Sequence, residues 1–347
     1  MTVILIAGGL VALGLALRLP ARMIALTLTL VWVGALLAHL VLPVEHPVTR
    51  ALGGDWRSWA ALGVGAGLVM LYRAGVMRLW DRARVSAPAG TPAASGGSFS
   101  EAELDRYARH IVLREVGGPG QKRLKEAKVL VVGAGGLGSP ALLYLAAAGV
   151  GTIGVIDDDE VSSSNLQRQV IHTDARIGQP KVFSAEAAMR ALNPFIAVRP
   201  YNRRLAEEEA EALFADYDLI LDGSDNFGTR YLVNAAAVAA KRPLISAAIT
   251  QWEGQISLYD PANGAPCYAC IFPDRPADGL APACAVAGVM GALPGVVGAM
   301  MAVEAIKEIT GAGETLRGRM LIYDALYGES RQIALKRSPD CRVCGKV

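Results

Sequence analysis

The run GAGGLG, Gly133 to Gly138, sets three glycines at GxGxxG spacing directly after the apolar stretch KVLVV. Gly133, Gly135 and Gly138 would let a tight turn bring backbone amides onto a phosphate at the start of a helix. Asp157 closes the next apolar stretch, TIGVI, and Asp159 lies just beyond it. An acid about twenty residues after such a turn meets a ribose hydroxyl. To this point a nicotinamide enzyme and an ATP enzyme are equally consistent.

The polar run that follows begins to separate them. Asn165, Gln167 and Arg168 stand past the ribose acid, where a triphosphate could extend, and Lys181 in GQPK adds a second cation. Two cations converging on phosphates suit nucleotidyl or phosphoryl transfer, whose catalysis is positioning plus charge stabilisation. Hydride transfer needs instead a proton-transfer group beside the nicotinamide. His39, His46, His110 and His172 fall in no dehydrogenase motif. The bland alternative is that Arg168 and Lys181 are solvated surface charges.

The five cysteines form two CxxC pairs, Cys267–Cys270 and Cys341–Cys344, and one single, Cys284. Four thiolates in two short knuckles make a tetrahedral zinc pattern, and an all-thiolate site is closed, hence structural. For Cys284 two readings stand: a small buried residue, or a thiolate favoured by a helix beginning there.

These residues need a scaffold, and the pattern supplies one. FSEAEL reads as a capping box, Ser100 with Glu103, and a hydrophobic staple of Phe99 on Leu104. Buried strands at 128–132, 152–156, 197–201, 219–222 and 244–248 alternate with helical patterns. That predicts an α/β, Rossmann-like, doubly wound and mainly parallel sheet. WEGQISLYD, MLIYDALY and RQIALKR lack intervening helices and read as added antiparallel strands. Residues 285–306, interrupted by Pro294 and glycines and carrying Glu304, read as a buried helix region on the sheet.

The N-terminal part differs in composition. Thr2–Leu17, Met23–Leu42 and Trp59–Tyr72 contain no acidic or basic side chain besides histidine, and they concentrate the 52% hydrophobic content. A span needs about twenty apolar residues. Residues 1–80 are therefore expected to be a membrane anchor, of three transmembrane helices rather than two. The arginine flanks would place the remaining chain in the cytoplasm, at the inner (cytoplasmic) membrane. A signal peptide would want a basic n-region that Thr2–Leu17 lacks. Residues 81–98, rich in Ala, Gly, Pro and Ser, read as a flexible linker to a domain at 99–347. The net charge of +2 gives no general pull toward nucleic acid.

GAGGLGSP, DDDEVSSSNLQRQ, GQPK, LDGSDN, EGQIS, CYAC, AGVMGALPGVVG and CRVCG occur in the order found in the ubiquitin-activating-enzyme superfamily. From Phe99 onward the chain resembles a MoeB/ThiF/HesA-type adenylyltransferase, most similar to the molybdopterin-synthase type. The resemblance implies Mg-ATP-dependent adenylation of the C-terminal glycine of a ubiquitin-fold sulfur carrier ending in Gly-Gly, ahead of thiocarboxylate formation. It implies Gly136 in the nucleotide turn and Asp157 on the ribose. Asn165, Arg168 and Lys181 would meet phosphates, and Asp225 would meet magnesium with Asn226 beside it. Arg109 matches an arginine that reaches the neighbouring subunit's ATP site, implying a homodimer. Cys284 lies in a stretch like the family's crossover loop, where some members form a covalent intermediate. Two features depart from the family pattern: the N-terminal segment, and an end just after CRVCGKV without a rhodanese-like domain, so that a separate protein would donate sulfur. The same chemistry on the thiamine-pathway carrier, a nicotinamide dehydrogenase and an inactive membrane scaffold are the competing readings.

Overall fold

A computed structural model describes residues 21–43, 45–53, 55–85, 98–274 and 288–345. Chain contacts divide the molecule into two units, 1–89 and 90–347.

In the first unit, helices α1 (Ala21–Val41), α2 (Pro47–Leu52) and α3 (Trp56–Val85) follow one another. Asp55 opens α3 by accepting the Ser58 amide at 2.9 Å. The Trp32 indole donates to the Trp59 carbonyl at 2.9 Å, and Trp59 donates to the Gly53 carbonyl at 3.1 Å. A β-carbon on Gly63 would strike the Trp32 ring at 2.1 Å, so α1 and α3 meet where that position is bare.

No described helix is long and apolar enough to cross a membrane. This overturns the expectation of N-terminal transmembrane helices, and with it that of a multi-pass location at the inner membrane. The physical reason lies in what the apolar windows omit. The run 59–72 is the middle of a helix that starts at Trp56–Arg57 and continues through Arg73, Arg78, Asp81, Arg82 and Arg84. The run 23–42 belongs to a helix with Arg22 in its first turn and His39 in its last. The first expected span, Thr2–Leu17, and residues 86–97 of the expected linker lie outside the described residues.

The second unit opens on α4 (Glu101–Ile111). Its capping box forms as read: the Glu103 amide donates to Ser100 Oγ at 3.3 Å and the Ser100 amide to Glu103 Oε2 at 2.9 Å. Phe99 packs edge-on against Tyr107 with ring centres 6.2 Å apart, whereas Leu104 is exposed. Helix α5 (Gly117–Glu126) leads into β1 (Lys128–Val132), α6 (Gly138–Ala148), β2 (Thr152–Ile156), α7 (Lys181–Leu192) and β3 (Ala197–Tyr201). Then follow α8 (Glu207–Ala215), β4 (Leu219–Asp222), α9 (Phe227–Ala239), β5 (Leu244–Ile249), β6 (Glu253–Tyr259) and α10 (Tyr268–Ile271). Helix α11 (Leu293–Thr310) and strands β7 (Arg319–Asp324) and β8 (Glu329–Ala334) complete the order.

The eight strands form one sheet in the order β3-β2-β1-β4-β5-β6-β7-β8. The first five are parallel, with Val129 opposite Ile153 on one side and Leu219 on the other. The last three are antiparallel additions, as expected. Strands buried on both faces read as continuous apolar runs, which is why KVLVV and LILD announce themselves. One face carries Leu142, Leu145, Met189, Val297, Met301 and Ala305 from α6, α7 and α11. The other carries Phe214, Val233 and Tyr268 from α8, α9 and α10, with Tyr217 from the turn between α8 and β4. The run read as a buried helix region supplies α11, with Pro294 in its first turn and Leu293, Val297 and Met301 buried.

The order reverses between β1 and β4. The chain winds outward to β2 and β3, then crosses back to β4, and a crevice opens at the carboxyl ends of these strands.

Candidate active site

A cleft of about 450 Å³ occupies that switch point, lined from every parallel strand's carboxyl end. From β1 come Gly133, Gly135 and Gly136, and from β2 come Asp157 and Asp159. Arg168 enters from the segment leading to α7 and Lys181 from the first residue of that helix, Asp225 and Asn226 from the β4–α9 corner, Arg230 from the first turn of α9, and Thr250 from the end of β5.

The turn after β1 is built around bare α-carbons. Gly133 has φ +95°, a left-handed conformation natural only to glycine, and a β-carbon on Gly138 would sit 1.9 Å from the Gly133 carbonyl oxygen. No side chain caps α6; in its first turn the Ser139 amide returns to the Gly135 carbonyl at 2.9 Å and Pro140 carries no N–H, so Gly138 supplies the first-turn donor for an anion at this helix start. Asp157 holds the turn in place: Oδ2 accepts the Ala134 amide at 2.8 Å and Oδ1 the Asp159 amide at 2.9 Å. Burial pushes the Asp157 carboxyl above its ordinary range, with the Lys181 ammonium pulling the other way. Behind the turn, His172 Nε2 lies 2.9 Å from the Ala134 carbonyl, which can only accept, so Nε2 carries the proton. Its Nδ1 then takes the Ser184 hydroxyl proton at 2.9 Å.

The two expected cations do converge here. Lys181 is only 4% exposed, and its Nζ lies 2.7 Å from Asp159 Oδ2. Arg168 donates through Nη2 to Asn165 Oδ1 at 3.0 Å and through Nη1 to the Ser164 carbonyl. Asn165 is thus placed to aim the guanidinium rather than to line the cleft. Lys181 is therefore not a solvated surface charge, while Arg168 is half-buried with two hydrogen-bond partners.

Gln167 does not line the cleft; it is exposed, and a β-carbon on Gly291 would lie 2.3 Å from its Oε1. The helical turn from Asn165 explains this. The amides of Arg168 and Gln169 both return to the Asn165 carbonyl, which puts residues 165, 168 and 169 on one side and 167 on the other. Gln169 lines the cleft instead, and only its neighbourhood to Arg168 in SNLQRQ could have signalled it.

Asp225 is exposed in the cleft, and Asn226 caps α9 by accepting the Thr229 amide at 2.8 Å. Below them lies a polar cluster that sequence reasoning missed. Asp222 is 1% exposed and accepts from the Ser224 amide and hydroxyl at 3.0 and 2.6 Å and from Ser246 Oγ at 3.0 Å. Arg230, also buried, reaches the Ser224 and Ala247 carbonyls at 2.6 and 2.7 Å. This cluster fixes the corner that presents Asp225. Arg109 is exposed on α4 and is not among the residues lining this chain's own cleft. Cys284 lies outside the described residues.

The two CxxC pairs meet as expected, with Sγ separations of 3.8 Å (267–270), 3.6 Å (267–341) and 3.4 Å (270–344). Sulfurs ~2.3 Å from a tetrahedral zinc would be about 3.8 Å apart, so the donor set fits that ion. Burial pushes the Cys267 thiol up. Burial also opposes the Cys341 thiolate, but the Cys344 and Val343 amides outweigh it and hold Cys341 at about 7. The knuckle docks on α9: Asn234 accepts the Tyr268 amide at 2.8 Å, and the Tyr231 hydroxyl donates to the Phe272 carbonyl at 2.9 Å.

Comparison with known proteins agrees with this geometry. A model of the ThiF family matches residues 107–343. The chain is 49% identical over 251 residues to the sulfur carrier protein adenylyltransferase of Thermus thermophilus, covering 71% of this chain and 93% of that one. It is 47% identical over 249 residues to the SAMP-activating enzyme E1 of Haloferax volcanii, covering 72% and 92%. Identity to the probable adenylyltransferase/sulfurtransferase MoeZ of Mycobacterium tuberculosis is 52% over 245 residues, covering 70% of this chain and 62% of MoeZ. A crystal structure of E. coli MccB with ATP superposes with a TM-score of 0.59 at 25% identity, over 70% of this chain and 74% of that one. The glycine turn, the paired cations and the extent of these matches lead to one assignment: the chain belongs to the ThiF family, as an adenylyltransferase of the MoeB/ThiF type.

Proposed function

We propose that this adenylyltransferase uses Mg-ATP to activate the C-terminal glycine of a small ubiquitin-fold sulfur carrier of the molybdopterin-synthase type. The observation that carries the proposal is the convergence of the glycine turn, Asp157, Arg168, Lys181 and Asp225 on one cleft. The Thermus and Haloferax relatives, named for a sulfur carrier protein and for SAMP activation, support a protein carrier.

In this reading the glycine turn and the start of α6 hold the phosphates, and Asp157 faces the ribose. A carboxylate oxygen of the carrier attacks the α-phosphorus, the bond to the bridging oxygen breaks, and pyrophosphate leaves. Two anions are thereby brought together, and negative charge grows between them. Arg168 and Lys181 neutralise it from preorganised positions, where one such contact is worth ~10²–10³ in rate. Magnesium, held by Asp225, would add charge neutralisation on the phosphates. Zinc in the four-cysteine knuckle would be structural and hold α10 against α9. Arg109 acts across a homodimer in the partner's cleft. Sulfide-level sulfur from a separate donor then attacks the acyl carbon, the bond to the phosphate oxygen breaks and AMP leaves, giving the thiocarboxylate; Cys284 is the candidate for a covalent intermediate on that path.

The test is ATP–pyrophosphate exchange by the zinc-loaded chain with carriers ending in Gly-Gly. Exchange is expected with the molybdopterin-synthase small subunit in preference to the thiamine-pathway carrier. Faster exchange with the latter would reassign the pathway, and none with any native carrier would remove the activity.

A further inference from the structure

Helix α10 is a single turn of four residues, with Cys267 just before it, Cys270 within it and Phe272 just after it. One turn closes too few hydrogen bonds to offset the cost of its own ordering. Tyr268 on this turn is 5% exposed and Phe272 is half-buried, yet both line the cleft. Their rings lie 4.8 Å apart, and Tyr268 also meets Tyr231 edge-on at 5.4 Å. Part of the cleft wall is therefore carried by the cysteine knuckle.

That wall is held from two directions. Asn234 and Tyr231 fasten its backbone to α9. The second hold comes from the C-terminal CxxC pair, whose sulfurs meet those of Cys267 and Cys270. Between that pair, Arg342 donates to the Pro273 carbonyl at 3.0 Å and to Asp274 Oδ1 at 2.8 Å, just past Phe272. Arg342 and Asp274 are both exposed, so their ion pair adds little by itself. A metal shared by the four sulfurs would supply the strong tie, and its binding free energy would be folding free energy for this segment.

The wall also has a definite place along the sheet. Asp157 ends β2 and the glycine turn follows β1, whereas Tyr268 packs edge-on against Tyr259 of β6 at 5.9 Å. The two rings thus share the β5–β6 side of the cleft with Ile249, Thr250 and Gln255. In-line displacement brings the nucleophile in from the side away from the departing pyrophosphate. With pyrophosphate drawn to Arg168 and Lys181 on the β2 side, the acyl substrate comes from the side these rings wall.

We infer that metal occupancy of the knuckle sets the affinity of the cleft for the carrier's C-terminal segment, through Tyr268 and Phe272, and leaves the affinity for ATP unchanged. This rests on reading the cleft as the site of carrier adenylation. The coupling is reciprocal: the factor by which zinc strengthens carrier binding is the factor by which carrier strengthens zinc binding.

The experiment uses the full chain, loaded with zinc or depleted of it, with the molybdopterin-synthase small subunit and ATP as separate probes. Depletion should weaken the small subunit by ~10-fold and change ATP by less than about twofold. In equilibrium competition with a chelator, the small subunit should raise the zinc affinity by the same factor, and ATP should not. Equal loss of both probes on depletion overturns the inference, because the knuckle would then support the whole domain. A zinc affinity indifferent to the small subunit overturns it too. If the depleted chain unfolds, Phe272→Leu kept loaded with zinc decides the matter. It should weaken the small subunit by ~10-fold with ATP unchanged, and unchanged binding of the small subunit has the same overturning force. A zinc-loaded wild type that binds ATP but no carrier ending in Gly-Gly sinks the carrier reading itself. Carrier binding that ignores both zinc and Phe272 sinks this inference alone.

Discussion

The cleft has two halves that treat charge differently. On the β2 side, Lys181 is held by Asp159, which is 67% exposed, and Arg168 by the half-buried Asn165 and the carbonyl of the exposed Ser164. On the β4 side, Asp222 and Arg230 are sunk below the surface and bonded to serines and backbone carbonyls. The first arrangement leaves cations able to turn toward an incoming phosphate. The second spends its charges on shape, fixing a corner so that Asp225 stands in the cleft. Reacting groups and supporting groups are thus told apart by who already occupies their hydrogen bonds.

This contrast can be broken most forcefully from below. Asp222→Ala leaves Arg230 buried without its acid, a change that costs about 3–5 kcal/mol. Urea denaturation should show the midpoint falling accordingly, and a loss under about 1 kcal/mol would mean the cluster is not structural. On the rim the effect should fall on rate: Arg168→Ala should slow pyrophosphate exchange by ~10²–10³ while shifting stability by no more than about 0.5 kcal/mol. Asn165→Ala removes only the group that aims Arg168. It should reduce kcat by about 10-fold, through misplacement of a charge still present, and equal activity would strip Asn165 of that role.

The smallest effect concerns His172. Burial holds its imidazole below the ordinary 6.5, so the folded chain keeps it neutral while the unfolded chain takes a proton. Stability from this group is full above pH 6.5 and is lost as pH falls through that value toward the folded one. Replacement by phenylalanine should flatten the fall of denaturation midpoint in that window. An unchanged slope would show that the histidine does not report there.

Much of this was legible in the sequence, and the failures share a cause. GAGGLG, Asp157 and the two CxxC pairs could be read because their spacing is local and set by backbone geometry. The parallel strands could be read because burial on both faces leaves them no polar positions. Asp222, Ser224, Arg230 and Ser246 could not, because a residue satisfied inside the molecule has the same type as one satisfied by water. Gln169 was passed over for Gln167 because nothing in SNLQRQ tells which side of one helical turn faces the cleft. The N-terminal apolar runs misled for the opposite reason. An apolar window is blind to the charges that continue the same helix, as in α3, and to a helix partner such as that joining Trp32 to Trp59.

The most direct test of the account is carrier-dependent ATP–pyrophosphate exchange in wild type and Arg168→Ala, measured on preparations matched for zinc content and denaturation midpoint. Wild type should exchange only when a Gly-Gly carrier is present, and the variant should lose ~10²–10³ of that rate. Full exchange by the Arg168→Ala protein would contradict it.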